Sequence, residues 1–235
     1  MLEINYGMMI IDKFLLNLNV ITTFIFTFES IIKKLEKINT EGKKEIESLL
    51  NTLNERNMVQ KSRNFTKKHY FSLFRNVDLF HQTVLEKDIT TLFHSIRKKL
   101  EIIITLFDSY EKNFQFLMEY FTGLFGEKSK TVNFEVLQKE LVIDLKRKEM
   151  RKFFLLMKMM AVGEKIKGQL RKDADLKKEV INLFEEKAEG RISMGEFEED
   201  LSEEKHYLQL WIFRPYVDEN IIDFFYIILK EFTKN

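Results

Sequence analysis

Histidine is the side chain best suited to moving a proton near neutral pH, and this chain has four: His69, His81, His94 and His206. Two of them recur in one setting. The stretch RNFTKKHYFSLFRNVDLFH, residues 63–81, contains Arg-Asn-x-x-x-x-His twice, as Arg63, Asn64 and His69 and again as Arg75, Asn76 and His81. A histidine that exchanges a proton and an arginine that holds developing negative charge make a metal-free acid–base pair. Spacing decides whether the two side chains can meet. Six residues of continuous α-helix turn through about 600°, which leaves Arg and His about 120° apart. Convergence therefore needs a helix boundary between them. Ser62 is suited to cap a helix N-terminus, which predicts a loop-to-helix junction at the first copy. The second copy falls on Tyr70, Phe74, Val77, Phe80 and Val84, a continuous helical stripe, and is the fallback pair.

The doubled motif resembles the signature of the HEPN superfamily, all-helical ribonucleases that often act as dimers in toxin and antiviral systems. The family's pattern is an Arg, usually followed by a polar residue such as Asn, and then a His after a short spacer. The resemblance implies an endoribonuclease working without metal. His69 would assist proton transfer at the ribose 2′-hydroxyl while Arg63 stabilises the charged phosphorane. Arg75, Asn76 and His81 would take those roles if the first copy does not. The family places the motif on its last or penultimate helix, whereas here it precedes the longest one.

A second chemistry-bearing stretch is LKRKEMRKFFLLMKMM. Lys146, Arg147, Lys148, Arg151 and Lys152 lead into Phe153, Phe154 and Met157, the composition of a basic amphipathic helix that docks on a partner surface. Charge is segregated beyond it. Residues 146–172 hold ten basic and two acidic residues, an excess of +8, and residues 173–204 hold twelve acidic and four basic, an excess of −8. The two stretches can pair with one another, or face apart and meet a phosphate backbone and a basic protein. Residues 183–197, LFEEKAEGRISMGEF, resemble a degenerate EF-hand loop with Gly190 at the sharp turn and Glu196 as the closing carboxylate. Lys187 stands where calcium requires an oxygen, so a helix–turn–helix corner at Gly190 is expected and no metal. The absence of cysteine excludes disulfides, thiolate nucleophiles and Cys-based zinc sites, and no cofactor is expected. With 38 basic and 37 acidic residues, no global field draws in nucleic acid or an anionic membrane.

The elements that must position these residues read as helices. One Pro and eight Gly in 235 residues, with apolar residues recurring every three or four positions, predict an all-α fold. A first helix carries Ile11, Leu15, Leu18, Ile21, Ile25, Phe28, Ile32 and Leu35 and is expected to break at Gly42, with a second helix over about 43–60. One very long helix is predicted over about 85–122. There Leu85, Ile89, Leu92, Ile96, Leu100, Ile103, Phe107, Tyr110, Phe114, Leu117 and Phe121 follow the ~3.6-residue period of a straight α-helix. Gly123 and Gly126 mark a boundary between an N-terminal helical bundle, 1–126, and a smaller C-terminal helical region, 127–235. In the latter, Gly163 and Gly168 weaken a helix end, two short helices flank Gly190, and Pro215 separates two aromatic-rich pieces around Trp211 and Phe225. The uncharged run FLLNLNVITTFIFTF is shorter than the ~20 residues of a spanning helix and contains Asn and Thr, so it reads as a buried helix of a cytoplasmic protein.

These readings favour a non-enzymatic helical interaction or regulatory protein that binds a protein partner or self-associates as a homo-oligomer. Lys146, Arg147, Lys148, Arg151, Lys152, Phe153, Phe154 and Met157 would form the partner surface. The alternative is the HEPN-like ribonuclease. A third is RNA or DNA binding without cleavage through Arg63, Lys67, Lys68 and the 146–152 cluster.

Overall fold

A computed structural model describes residues 12–66, 73–125, 147–194 and 202–234. Among these residues there is no strand, and almost every one is helical. The principal elements are α1 (Leu18–Thr66), α2 (Leu73–Phe125), α3 (Arg147–Met194), α4 (Ser202–Phe213) and α5 (Glu219–Lys234). The all-α expectation is met, and the long central helix runs further than its apolar stripe required, over 53 residues. No described helix is long and apolar enough to cross a membrane.

Several expected breaks are absent, and packing explains two of them. Gly42 lies inside α1, so the two helices predicted on either side of it are one. Glycine costs about 1 kcal/mol within a helix relative to alanine. At Gly42 the missing side chain lets the Trp211 indole lie against the helix, its Nε1 only 3.3 Å from where a Cβ would stand. Gly163, inside α3, serves Phe114 in the same way, at 2.8 Å. α3 also continues through Gly168 and Gly190 to Met194, so neither an EF-hand loop nor a corner forms at Gly190. Pro215 does break the chain, between α4 and α5.

The chain divides into two compact units, each assembled from nonconsecutive segments. The first comprises Met1–Lys33, Leu106–Arg171 and Tyr216–Asn235. Its core is apolar and rich in rings. Phe28 packs on Tyr110 and Phe114, and Phe153 packs on Phe14 and Phe121, with centroids 5.4 to 6.2 Å apart. Leu156, Met159, Met160 and Phe225 fill the spaces between them, leaving an apolar cavity of about 10 Å³. Polar groups are satisfied at its edges. The buried Tyr110 hydroxyl donates to the Gly163 carbonyl at 3.0 Å, and burial, followed by the Glu164 carboxylate, pushes its pKa upward. Tyr120 donates to Asn17 Oδ1 at 2.6 Å. In the uncharged run, Thr22, Thr23 and Thr27 donate their hydroxyls to the carbonyl four residues back, which satisfies these polar groups within the helix. Only one side of that run is buried: Ile21, Ile25 and Phe28 face the core while Val20 and Phe26 are exposed.

The second unit comprises Lys34–Thr105 and Lys172–Pro215. Glu45 accepts from Ser95 at 2.9 Å and Lys99 at 2.6 Å, and Arg56 pairs with Glu86 at 3.7 Å. Advancing along α1 thus means retreating along α2, so these segments lie antiparallel. Leu35, Ile46, Leu49, Leu53, Ile96, Leu100, Leu208 and Trp211 make the apolar part of the core. Asn39, Asp173 and Lys177 are buried beside them.

Candidate functional site

Of the Arg-Asn-x4-His residues, Arg63 and Asn64 fall at the end of α1 and Arg75, Asn76 and His81 in the first turns of α2. Arg63 and Asn64 belong to the last turn of α1, so Ser62 stands inside a helix that is ending and caps no N-terminus. His69, Lys67 and Lys68 lie outside the described residues, as do the side chains of Arg63, Asn64, Arg75 and Asn76. Arg75, Asn76 and His81 all sit on the continuous α2, where His81 is exposed. The helix boundary that would let Arg75 and His81 converge is therefore absent between them.

The basic segment 146–157 divides by burial. Lys146 lies outside the described residues, and Arg147 and Lys148 open α3 with side chains that also lie outside them. Arg151 is exposed and donates to Glu231 of α5 at 2.6 Å, while Lys152, Phe154 and Met157 are half-buried. Phe153 is 6 % exposed and belongs to the core of its unit, so it offers no face to a partner. Carboxylates of the same unit meet others in the basic stretch, with Arg171 on Glu111 at 3.3 Å and Lys167 on Glu164 at 2.7 Å.

The densest electrostatic arrangement was not among the residues singled out from sequence. In the second unit, Lys177 is wholly buried and donates to Asp173 Oδ2 at 2.5 Å and Asn39 Oδ1 at 2.6 Å, with the Trp211 ring 5.3 Å away. Arg214 approaches the same carboxylate at 3.5 Å through Nε and donates through Nη1 to Glu36 at 3.1 Å. Burial lowers the Lys177 pKa to about 8; Asp173 opposes that effect and the Arg214 charge adds to it. A lysine in that range is chemically a base or nucleophile, but one with no exposed surface reaches no substrate. Asn39 Nδ2, Asp173 Oδ1, Trp211 Nε1 and Arg214 Nη2 are buried without a hydrogen-bond partner among the described residues, so the cluster is not arranged for maximal stability. These groups pair only where α1, α3 and the end of α4 meet at one level.

Arg214 is held there at a backbone cost. It follows α4 with φ 46°, the left-handed conformation usually left to glycine, and its amide returns to the Leu210 carbonyl at 3.1 Å. Pro215 prevents the helix from continuing. A signal for this cluster existed in the sequence: Asp173 and Lys177 occupy a stripe otherwise made of Ile166, Leu170, Ala174, Val180 and Ile181. Charged residues at helical spacing within an apolar stripe predict a buried pair.

The remaining candidate is a surface. α5 buries Ile222, Phe225, Ile228, Leu229 and Phe232, yet Phe224 is 47 % and Ile227 59 % exposed on its other side. No group of three or more side chains suited to a metal ion occurs among the described residues. Comparison of this chain with protein-family models, with curated proteins and with solved structures found no match in any of the three.

Proposed function

We propose that this chain is a non-enzymatic, cytoplasmic helical interaction protein whose contact surface is the outer face of α5. The observation that carries the reading is the pair Phe224 and Ile227, two large apolar side chains one turn apart on the water side of a helix whose opposite side is already committed to the core. Complete burial of such a side chain from full exposure is worth about 1.5–3 kcal/mol, and about half of that remains to be gained at each of these two. The Arg151–Glu231 ion pair ties α5 to the start of α3, so the exposed Arg151 borders this face.

A photo-crosslinking residue placed at 227, compared with one at the exposed polar position 165, tests the reading in cell extract. Discrete protein adducts at 227, absent at 165 and reduced by Phe224→Ser, support it. Equal labelling at both positions overturns it. So does cleavage of single-stranded RNA in EDTA that disappears in His69→Ala or His81→Ala, which would make the chain a metal-independent ribonuclease.

A further inference from the structure

We propose that α5 pairs with α5 of a second copy of this chain, antiparallel across a two-fold axis passing beside Ile227. This inference rests on reading the outer face of α5 as a contact surface and names its occupant.

The outermost stripe of α5 runs Glu219, Asp223, Ile227, Lys230, Lys234, at helical steps of four and three, and all five residues are exposed. It is acidic at one end, apolar in the middle and basic at the other. Helix polarity alone favours acids near the N-terminus and bases near the C-terminus, which accounts for the order of the charges. It does not account for an exposed isoleucine at the centre, or for Phe224 beside it. Pairing accounts for both. Reversing the stripe exchanges its acidic and basic ends, so an antiparallel copy sets Asp223 against Lys230 and Glu219 against Lys234, each pair made twice. Both pairs are centred between residues 226 and 227, which brings each Ile227 close to its counterpart. A parallel copy would oppose like charges. Within the chain, Lys234 reaches only its neighbour Glu231, at 3.6 Å, and Glu219, Asp223 and Lys230 make no ion pair among the described residues. The two helix dipoles oppose one another in the same arrangement.

A self-complementary patch is what a two-fold dimer requires. One pair of 16-residue helices lies below the roughly 1,200 Å² typical of stable interfaces, so the dimer is transient and weakened by salt.

Sedimentation of the full chain over a wide concentration range at low salt tests this, with circular dichroism confirming that each variant keeps its helix content. The wild type is expected to dimerise reversibly. Asp223→Lys and Lys230→Asp, each setting two like-charge contacts across the axis, should weaken it by about tenfold or more. An equimolar mixture of these two variants should regain the lost affinity as a heterodimer, as should the doubly exchanged chain with itself. Ile227→Ser should weaken association while leaving the core untouched. A wild type that stays monomeric throughout overturns the proposal, as does a dimer indifferent to Asp223 and Lys230, or single variants that show no recovery on mixing. If the chain alone is monomeric while position 227 still crosslinks to other proteins, the contact surface stands and the second copy falls.

Discussion

The two compact units solve the same packing problem with different chemistry. The first joins its helices through rings and methionines, with Gly163 admitting Phe114 and the buried Tyr110 hydroxyl satisfied by a carbonyl. In the second, a lysine, an aspartate and an asparagine occupy the core beside Trp211, and an arginine in a left-handed backbone closes the network. Apolar packing is non-directional and accepts substitutes of similar volume. Paired charges accept only partners at the right distance, and removal of one leaves the others buried and uncompensated. The first unit should therefore be sensitive to volume and the second to charge and pH.

The sharpest way to break that contrast is a pair of nearly isosteric substitutions. Asp173→Asn keeps the shape but removes the charge that Lys177 and Arg214 share, and should cost about 3–5 kcal/mol. Met159→Leu in the first core should cost less than about 1.5 kcal/mol. Urea denaturation of both variants measures the difference, and equal costs would remove the distinction between the units.

A second contrast lies in pH. The Lys177 pKa of about 8 in the folded chain is below its ordinary 10.5. Between these values the unfolded chain holds a proton that the folded chain has lost, so this lysine makes stability rise with pH across the window, by up to about 3 kcal/mol. Asp173, Glu36 and Arg214 are the charged groups that face it. In Lys177→Met that rise should vanish, which urea midpoints at pH 7 and pH 10 would show; an unchanged slope places the lysine in water.

The glycines sharpen the comparison at smaller magnitude. Gly163→Ala drives a methyl to 2.8 Å from Phe114 Cε2, in a core with little space to yield, and should cost about 1–3 kcal/mol. Gly42→Ala meets Trp211 at 3.3 Å, so a few tenths of an ångström of indole movement, offset by about 1 kcal/mol of helix propensity, should leave stability nearly unchanged. Gly168 has nothing within 4 Å of its missing Cβ, and Gly168→Ala should stabilise by about 0.5–1 kcal/mol in thermal unfolding. A loss there would mean that α3 is not continuous through this position.

Much of the fold was legible in residue order, because helical periodicity is a local property. The stripe from Leu85 to Phe121 names the buried side of α2, and Pro215 ends α4, since neither depends on what lies across the core. The glycines are not legible in this way, for the converse reason. Whether Gly42 or Gly163 breaks a helix depends on whether a ring from a distant segment uses the space, and sequence spacing carries no record of Trp211 or Phe114 arriving there. The same limit applies to the candidate sites. The basic and aromatic run at 146–157 reads as one surface, but only packing separates Phe153 in the core from Arg151 in water. The stripe Glu219 to Lys234 was present in the residue order throughout. That it faces outward was decided by tertiary structure, because α5 had more apolar residues than one buried face could take, and the core's geometry chose which remained outside.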